Sequence, residues 1–142
     1  MRVILWRFKN GCVMSGNKYL LDTNFILGIL KSDPLVLAEV SSRQLHIGEC
    51  SYSAITRMEL LGFQGITREE DSLIRQKLDR LTYLPLTGNI ENVVIDLRQT
   101  RKIKLPDAII AATAFCSDIE LLTLDQHLLS VVNSIAKLKR AT

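Results

Sequence analysis

From Tyr19 onward, short apolar runs alternate with segments of helical periodicity, and this alternation constrains the fold more than any other feature. Tyr19-Leu20-Leu21 is a brief strand-like run ending at Asp22, and Thr23-Asn24 supply N-cap chemistry for a helix to about Leu30. Asp33-Pro34 restarts a helix to about Ser42, with Leu35, Leu37, Ala38 and Val40 on its apolar face. Leu45 to Glu49 reads as a second strand. Ser51 or Ser53 then caps a helix carrying Ile55, Met58, Leu60 and Leu61, which Gly62 stops. Thr67 and Glu70 have the form of a capping box, opening a helix with Leu73, Ile74, Leu78 and Leu81 inward. Thr82 to Leu86 is a third strand whose end Pro85 marks, and Ile90 to Arg98 is helical by the spacing of Ile90, Val93, Val94 and Leu97. Pro106 suits the first turn of a helix covering Asp107 to about Cys116. Ile119 to Thr123 is a fourth strand, and helix resumes from Asp125.

Strand followed by helix, repeated, predicts one α/β domain: a three-layer α/β/α sandwich around a parallel sheet of four or five strands. In such sheets ligands collect at the carboxyl ends of strands, where the strand order switches direction. A length of 142 residues with 47% apolar and 23% charged residues suits one domain with a real core and excludes a disordered chain. Residues 18–142 are expected to form that domain. Residues 1–17 read as an extension, irregular or forming one edge strand, with Met14 as an alternative start. Arg2, Arg7 and Lys9 break any signal-like apolar stretch there, and no run reaches the roughly 20 apolar residues of a membrane span. Cys12, Cys50 and Cys116 are odd in number and widely spaced, while His46 and His127 are isolated. That pattern argues against a disulfide framework or a zinc site and for a reducing, cytoplasmic setting.

The net charge of +3 admits a nucleic-acid partner without arguing for one. Arg98, Arg101, Lys102 and Lys104 cluster just before Pro106, and Lys137, Lys139 and Arg140 form a second group. Each group reads as a solvated helix end, and the first, beside an acidic motif, reads equally as a set of phosphate contacts.

Two carboxylates directly follow strand-like runs, Asp22 and Asp125, while Asp107 opens a helix and Glu59 interrupts an otherwise apolar one. Singly, Asp22 and Asp125 read as helix caps, Asp107 as an acid favoured by the helix dipole, and Glu59 as a surface residue. Gathered on one rim of a parallel sheet, they would repel one another unless a cation neutralised them. Oxygen ligands without His or Cys favour a hard cation, Mg²⁺ or Mn²⁺, which lowers the pKa of bound water and stabilises charge on a phosphodiester. Asn24 and Thr123, each two residues from one of these acids, are placed to hold a ligand oxygen or a metal-bound water.

Four segments, Leu20-Leu21-Asp22-Thr23-Asn24, Ile55 to Gly62, Leu105 to Ala114 and Leu121 to Asp125, in this order and spacing, resemble the PIN-domain nucleases. Among these the chain looks most like the VapC-type toxins of bacterial toxin–antitoxin pairs, over about Tyr19 to Leu129. The resemblance implies that Asp22, Glu59, Asp107 and Asp125 bind metal and that Asn24 and Thr123 support them. It also implies RNA cleavage with Mg²⁺ or Mn²⁺, a homodimer, and a small cognate antitoxin. A PIN nuclease with an RNA-processing role and no antitoxin fits the same residues. Many relatives carry a further acid and an aromatic after the last motif, where this chain has Gln126, His127, Leu128 and Leu129. The fourth ligand position therefore rests on Asp125. A phosphoacceptor receiver domain also gathers acids at strand ends but wants a lysine after its last strand, and none occurs between Thr123 and Lys137.

Overall fold

A computed structural model describes residues 16–141, with side chains described as far as Leu138. The readings of Met1 to Val13, of Met14 as a start, and of the Lys139 and Arg140 side chains lie outside the described residues. The elements run β1 (Tyr19–Leu21), α1 (Thr23–Leu30), α2 (Pro34–Arg43), a 3₁₀ turn (Ile47–Glu49), β2 (Cys50–Ser53), α3 (Ala54–Leu61), α4 (Arg68–Leu78), β3 (Thr82–Leu84), α5 (Gly88–Thr100), α6 (Leu105–Ser117), β4 (Glu120–Leu122) and α7 (Gln126–Ala141).

The four described strands form one parallel sheet in the order β3-β2-β1-β4. The chain moves outward from β1 through β2 to β3, then crosses back to place β4 on the other side of β1. The direction of winding therefore switches between β1 and β4, whose register pairs Leu20 with Leu121 and Leu21 with Leu122.

Alternation along these strands divides the core. Leu20 and Leu121 face a layer that includes Ile90 and Val94 of α5, Ala108, Ala111 and Ala112 of α6, and Leu128 of α7. Leu21 and Leu122 face the opposite layer, with Phe25, Ile26 and Ile29 of α1, Val36 of α2, Leu60 of α3 and Leu78 of α4. Helices thus cover both faces, as a parallel sheet requires. No helix among the described residues is long and apolar enough to cross a membrane.

Several local signals act as expected. Asp33 accepts from the N–H groups of Leu35 and Val36 at the start of α2, beside Pro34. Thr67 accepts from Glu70 N at 3.1 Å, and its hydroxyl donates to the Glu70 carboxylate at 3.0 Å. The Gly62 N–H closes α3 on the Met58 carbonyl.

The second strand is a correction. Leu45 to Glu49 is not a strand: Ile47–Glu49 forms a 3₁₀ turn, and the strand is Cys50–Ser53. Its sequence, Cys-Ser-Tyr-Ser, is buried throughout despite its hydroxyls. Ser51 satisfies its hydroxyl by donating to the Tyr19 carbonyl on β1 at 2.8 Å, which removes the usual penalty for a buried polar group. Of the two serines that could cap α3, Ser53 does so, accepting from Thr56 N. The third strand stops at Leu84, before Pro85. Helix α5 starts earlier than its apolar spacing suggested, because Thr87 caps it by accepting from Ile90 N.

The join between α1 and α2 depends on a close approach. Gly28 is buried in α1, and a Cβ built there overlaps Val36 Cγ2, a short branched side chain that is itself wholly buried. Helix propensity favours Ala over Gly by about 1 kcal/mol, whereas overpacking a tight core costs about 1–3 kcal/mol. Gly28→Ala is therefore expected to destabilise the protein in urea denaturation. In a Val36→Ala background the same change should cost less, because the Cγ2 overlap is gone while a close Cβ–Cβ approach remains.

Candidate active site

The Leu21–Leu122 register sets Asp22 opposite Thr123 at the carboxyl ends of β1 and β4, and Asp22 N donates to the Leu122 carbonyl at 3.0 Å. Asp22 is 5% exposed. An ordinary N-cap accepts from the second or third amide of its helix, as Asp33 does. The Asp22 carboxylate is turned elsewhere: Oδ1 accepts from Thr23 N at 2.7 Å and Oδ2 from the Thr123 hydroxyl at 2.7 Å. Burial holds its pKa above the ordinary carboxylate value against these two hydrogen bonds, and the charges of Glu59 and Asp107 push it in the same direction as burial.

Thr123 serves both ends of this corner. While its proton goes to Asp22, its oxygen accepts from Asp125 N at 3.0 Å. Asp125 then caps α7 in the usual way, Oδ1 accepting from Leu128 N at 3.1 Å. The Asn24 carbonyl oxygen accepts from Leu124 N at 3.1 Å, which pins the β4–α7 link to α1 and fixes the orientation of the amide.

Asp107 stands in the first turn of α6, half-buried, and its carboxylate accepts no hydrogen bond among the described residues. Its pKa is also raised, first by burial and then by the charge of Asp125, with Lys104 and His127 pulling it partly back. An acid placed only to complement the helix dipole would gain from that dipole without a raised pKa. Glu59 is exposed on α3, where Oε1 accepts from the Thr23 hydroxyl at 2.8 Å. Asp22 feels Glu59 and Asp107, and Asp107 feels Asp125, so all four acids belong to one electrostatic neighbourhood.

The basic group before Pro106 is less unified. Arg98 lies exposed near the end of α5, and Lys102 is exposed in the link to α6. Arg101 donates to the Ser134 hydroxyl of α7 at 3.2 Å, which ties the link to that helix. Lys104 is the member of the group whose charge is felt at Asp107. A groove of about 810 Å³ runs beside β4 and α7, lined by Phe25, Leu35, Phe115, Leu124, Leu129 and others; it includes Thr123 but none of the four acids.

Three participants have no site role in the sequence: Thr23 and Ser53 read there only as capping residues, and Thr56 only as part of a helix. The Thr23 and Thr56 hydroxyls are 2.9 Å apart, and Thr56 lies 3.3 Å from the Ser53 hydroxyl. Their signal is the spacing Ser53, Thr56, Glu59, three residues apart and hence along one side of α3.

Among the described residues, no three His, Cys, Asp or Glu side chains stand close enough to chelate an ion as they are held. The donor chemistry nonetheless suits a hard divalent cation. The four side chains are carboxylates, the Asp107 carboxylate accepts no hydrogen bond among the described residues, and burial, reinforced by neighbouring acids, raises the pKa of Asp22 and Asp107.

The fold and site define a doubly wound α/β domain with an acid-lined switch point. The sequence profile of the PIN domain matches residues 19–133, and the chain belongs to that family. Among solved structures, it is similar to a toxin–antitoxin complex from Klebsiella pneumoniae, with 28% identity and a TM-score of 0.65 over 76% of this chain and 87% of that one. It is also similar to VapBC-1 from nontypeable Haemophilus influenzae, with 26% identity and a TM-score of 0.64 over 82% and 92% of the two chains. FitAcB from Neisseria gonorrhoeae, at 24% identity and a TM-score of 0.66 over 81% and 93%, shares the fold. A comparison with curated proteins returned no match.

The raised pKa of Asp22 carries a pH dependence of fixed sign. Between the ordinary carboxylate value and the raised one, the native state binds more protons than the unfolded chain, so stability falls as pH rises through that window. Asn has nearly the shape of Asp and no titrating carboxylate. In EDTA, the stability of Asp22→Asn relative to the wild type is expected to rise as pH rises through that window and to level off above and below it, as read by urea denaturation across pH.

Proposed function

We propose that this chain is a Mg²⁺- or Mn²⁺-dependent endoribonuclease that acts as the toxin of a type II toxin–antitoxin pair. What supports this reading is the electrostatic linkage of the four acids: Asp22, raised in pKa first by burial, also feels the charges of Glu59 and Asp107, and Asp107, likewise raised by burial, feels Asp125. Asp22 and Asp107 would hold the metal, with Glu59 and Asp125 completing the oxygen set. When bound, such an ion activates water and offsets negative charge on a phosphodiester under attack.

The chain's own groups have separable tasks in this reading. Thr123 orients Asp22, and the Asn24 carbonyl, engaged with Leu124 N, leaves its NH₂ group to donate to a ligand oxygen. Lys104, beside Asp107, supplies positive charge for an RNA phosphate, with Arg98 and Lys102 available for flanking phosphates. Arg101 contributes through the link it ties to α7. The partner would be a small cognate antitoxin, supported by the likeness to the Klebsiella pneumoniae toxin–antitoxin complex. A homodimer working in the cytoplasm completes the proposal.

Purified protein should cleave RNA with Mg²⁺ or Mn²⁺ and stop in EDTA. Asp22→Asn and Asp107→Asn should each lose about 100-fold or more, the scale of losing a group that stabilises transition-state charge. Unchanged cleavage in either variant would overturn the assignment. Growth arrest on expression, relieved by a small protein encoded beside this chain, separates a toxin from an RNA-processing nuclease.

A further inference from the structure

Glu59 differs from the other three acids: it is exposed and stands on a helix rather than at a strand end or in a helix's first turn. An exposed glutamate keeps three rotatable bonds, and fixing it at the moment of metal binding costs side-chain entropy. Something must hold it if it is to serve as a ligand, and the hydroxyls around it have that geometry.

Thr23 Oγ1 lies 2.8 Å from Glu59 Oε1 and 2.9 Å from Thr56 Oγ1. A hydroxyl has one proton and a carboxylate has none to offer, so the Thr23 proton must go to Glu59. The proton between the two threonines then comes from Thr56. The Ser53 hydroxyl, 3.3 Å further on, donates to Thr56 while its oxygen accepts from Thr56 N. The direction of the whole file is thus set by the acceptor at its end: Ser53 to Thr56 to Thr23 to Glu59. Thr56 and Ser53 are wholly buried, so this chain of hydroxyls is anchored in the core and exits to the surface at Glu59. Both elements that supply it begin at the sheet. Thr23 is the first residue of α1 after Asp22, and Ser53 ends β2 and caps α3.

We infer that Thr23, braced by Thr56, is a positioning residue that pre-orients Glu59 for a divalent cation. Its backbone N–H also holds Asp22 Oδ1, so a single residue aligns two carboxylates, one through its amide and one through its hydroxyl. Partners of this kind tune metal affinity, and their loss costs about 10–100-fold in binding. The inference rests on the metal-dependent reading given above.

The test is Mn²⁺ binding to the purified full chain, followed by calorimetry and by the electron paramagnetic resonance signal of free Mn²⁺, without RNA. Thr23→Val keeps the shape and the backbone amide and removes the hydroxyl. It is expected to weaken Mn²⁺ binding about 10–100-fold, compared under conditions where the metal-free variant is fully folded, since the buried Thr56 hydroxyl loses its acceptor and the urea midpoint falls modestly. Thr23→Ser, which restores the hydroxyl, should bind near the wild-type level, and Thr56→Val should weaken binding in the same direction. Glu59→Gln is the control. If Glu59→Gln weakens binding and Thr23→Val does not, the positioning role is overturned while the metal-dependent reading stands. If the wild type binds no Mn²⁺, that reading fails and takes this inference with it.

Discussion

The hydrogen bond from the Thr123 hydroxyl to Asp22 Oδ2, 2.7 Å long, holds together the point at which the fold changes direction. It bridges β1 and β4 just beyond their last register pair, where a nearly buried carboxylate would otherwise face a neighbouring strand without compensation. The same hydroxyl oxygen accepts Asp125 N, so one side chain orients one acid directly and turns the chain toward the next. With its carboxylate held by Thr123 and Thr23 N, Asp22 does not serve as an ordinary cap, and α1 begins without a side-chain bond to its second or third amide. Local helix stability is given up at a residue of the candidate site, a pattern expected where function and folding compete for one group.

That competition extends across the rim. Burial and like charge raise Asp22 and Asp107 together, so the acidic neighbourhood opposes folding in the absence of a cation. The opposing contribution comes from the two apolar layers. Leu20 and Leu121 on one face, and Leu21 and Leu122 on the other, are almost wholly inaccessible, and the helices that bury them also carry the acids. The helix that bears Asp107 packs its Ala108, Ala111 and Ala112 into one layer, while α3 packs Leu60 into the other and leaves Glu59 outward. Placement of the carboxylates is therefore a by-product of hydrophobic register.

Much of this was legible beforehand. Seven helices and three of the four strands are marked in the sequence by caps, prolines and apolar spacing, and Asp22, Asp107 and Asp125 follow from their places at strand and helix ends. The second strand is not legible in the sequence because Cys50-Ser51-Tyr52-Ser53 has no apolar run. Its burial depends on hydroxyl partners such as the Tyr19 carbonyl, more than thirty residues away in the chain. Arg98, Arg101, Lys102 and Lys104 group by sequence proximity, and only the structure shows that Arg101 also donates to Ser134 of α7.

What the sequence determines by itself is periodicity and punctuation, which are local properties: most of the strand and helix positions and the acids at element ends, but not the second strand or the buried face of α2, where Val36 is covered and Leu35 is exposed. Those properties also made Asp22 readable both as a cap and as a site residue. The choice between the two belongs to the tertiary structure, because it depends on a partner 101 residues distant. The same holds for Glu59, which reads as a surface residue until α1 brings Thr23 to it from 36 residues away. Hydrogen bonds act over about 3 Å, and only the winding of β4 and α3 against β1 and α1 brings these groups within that range.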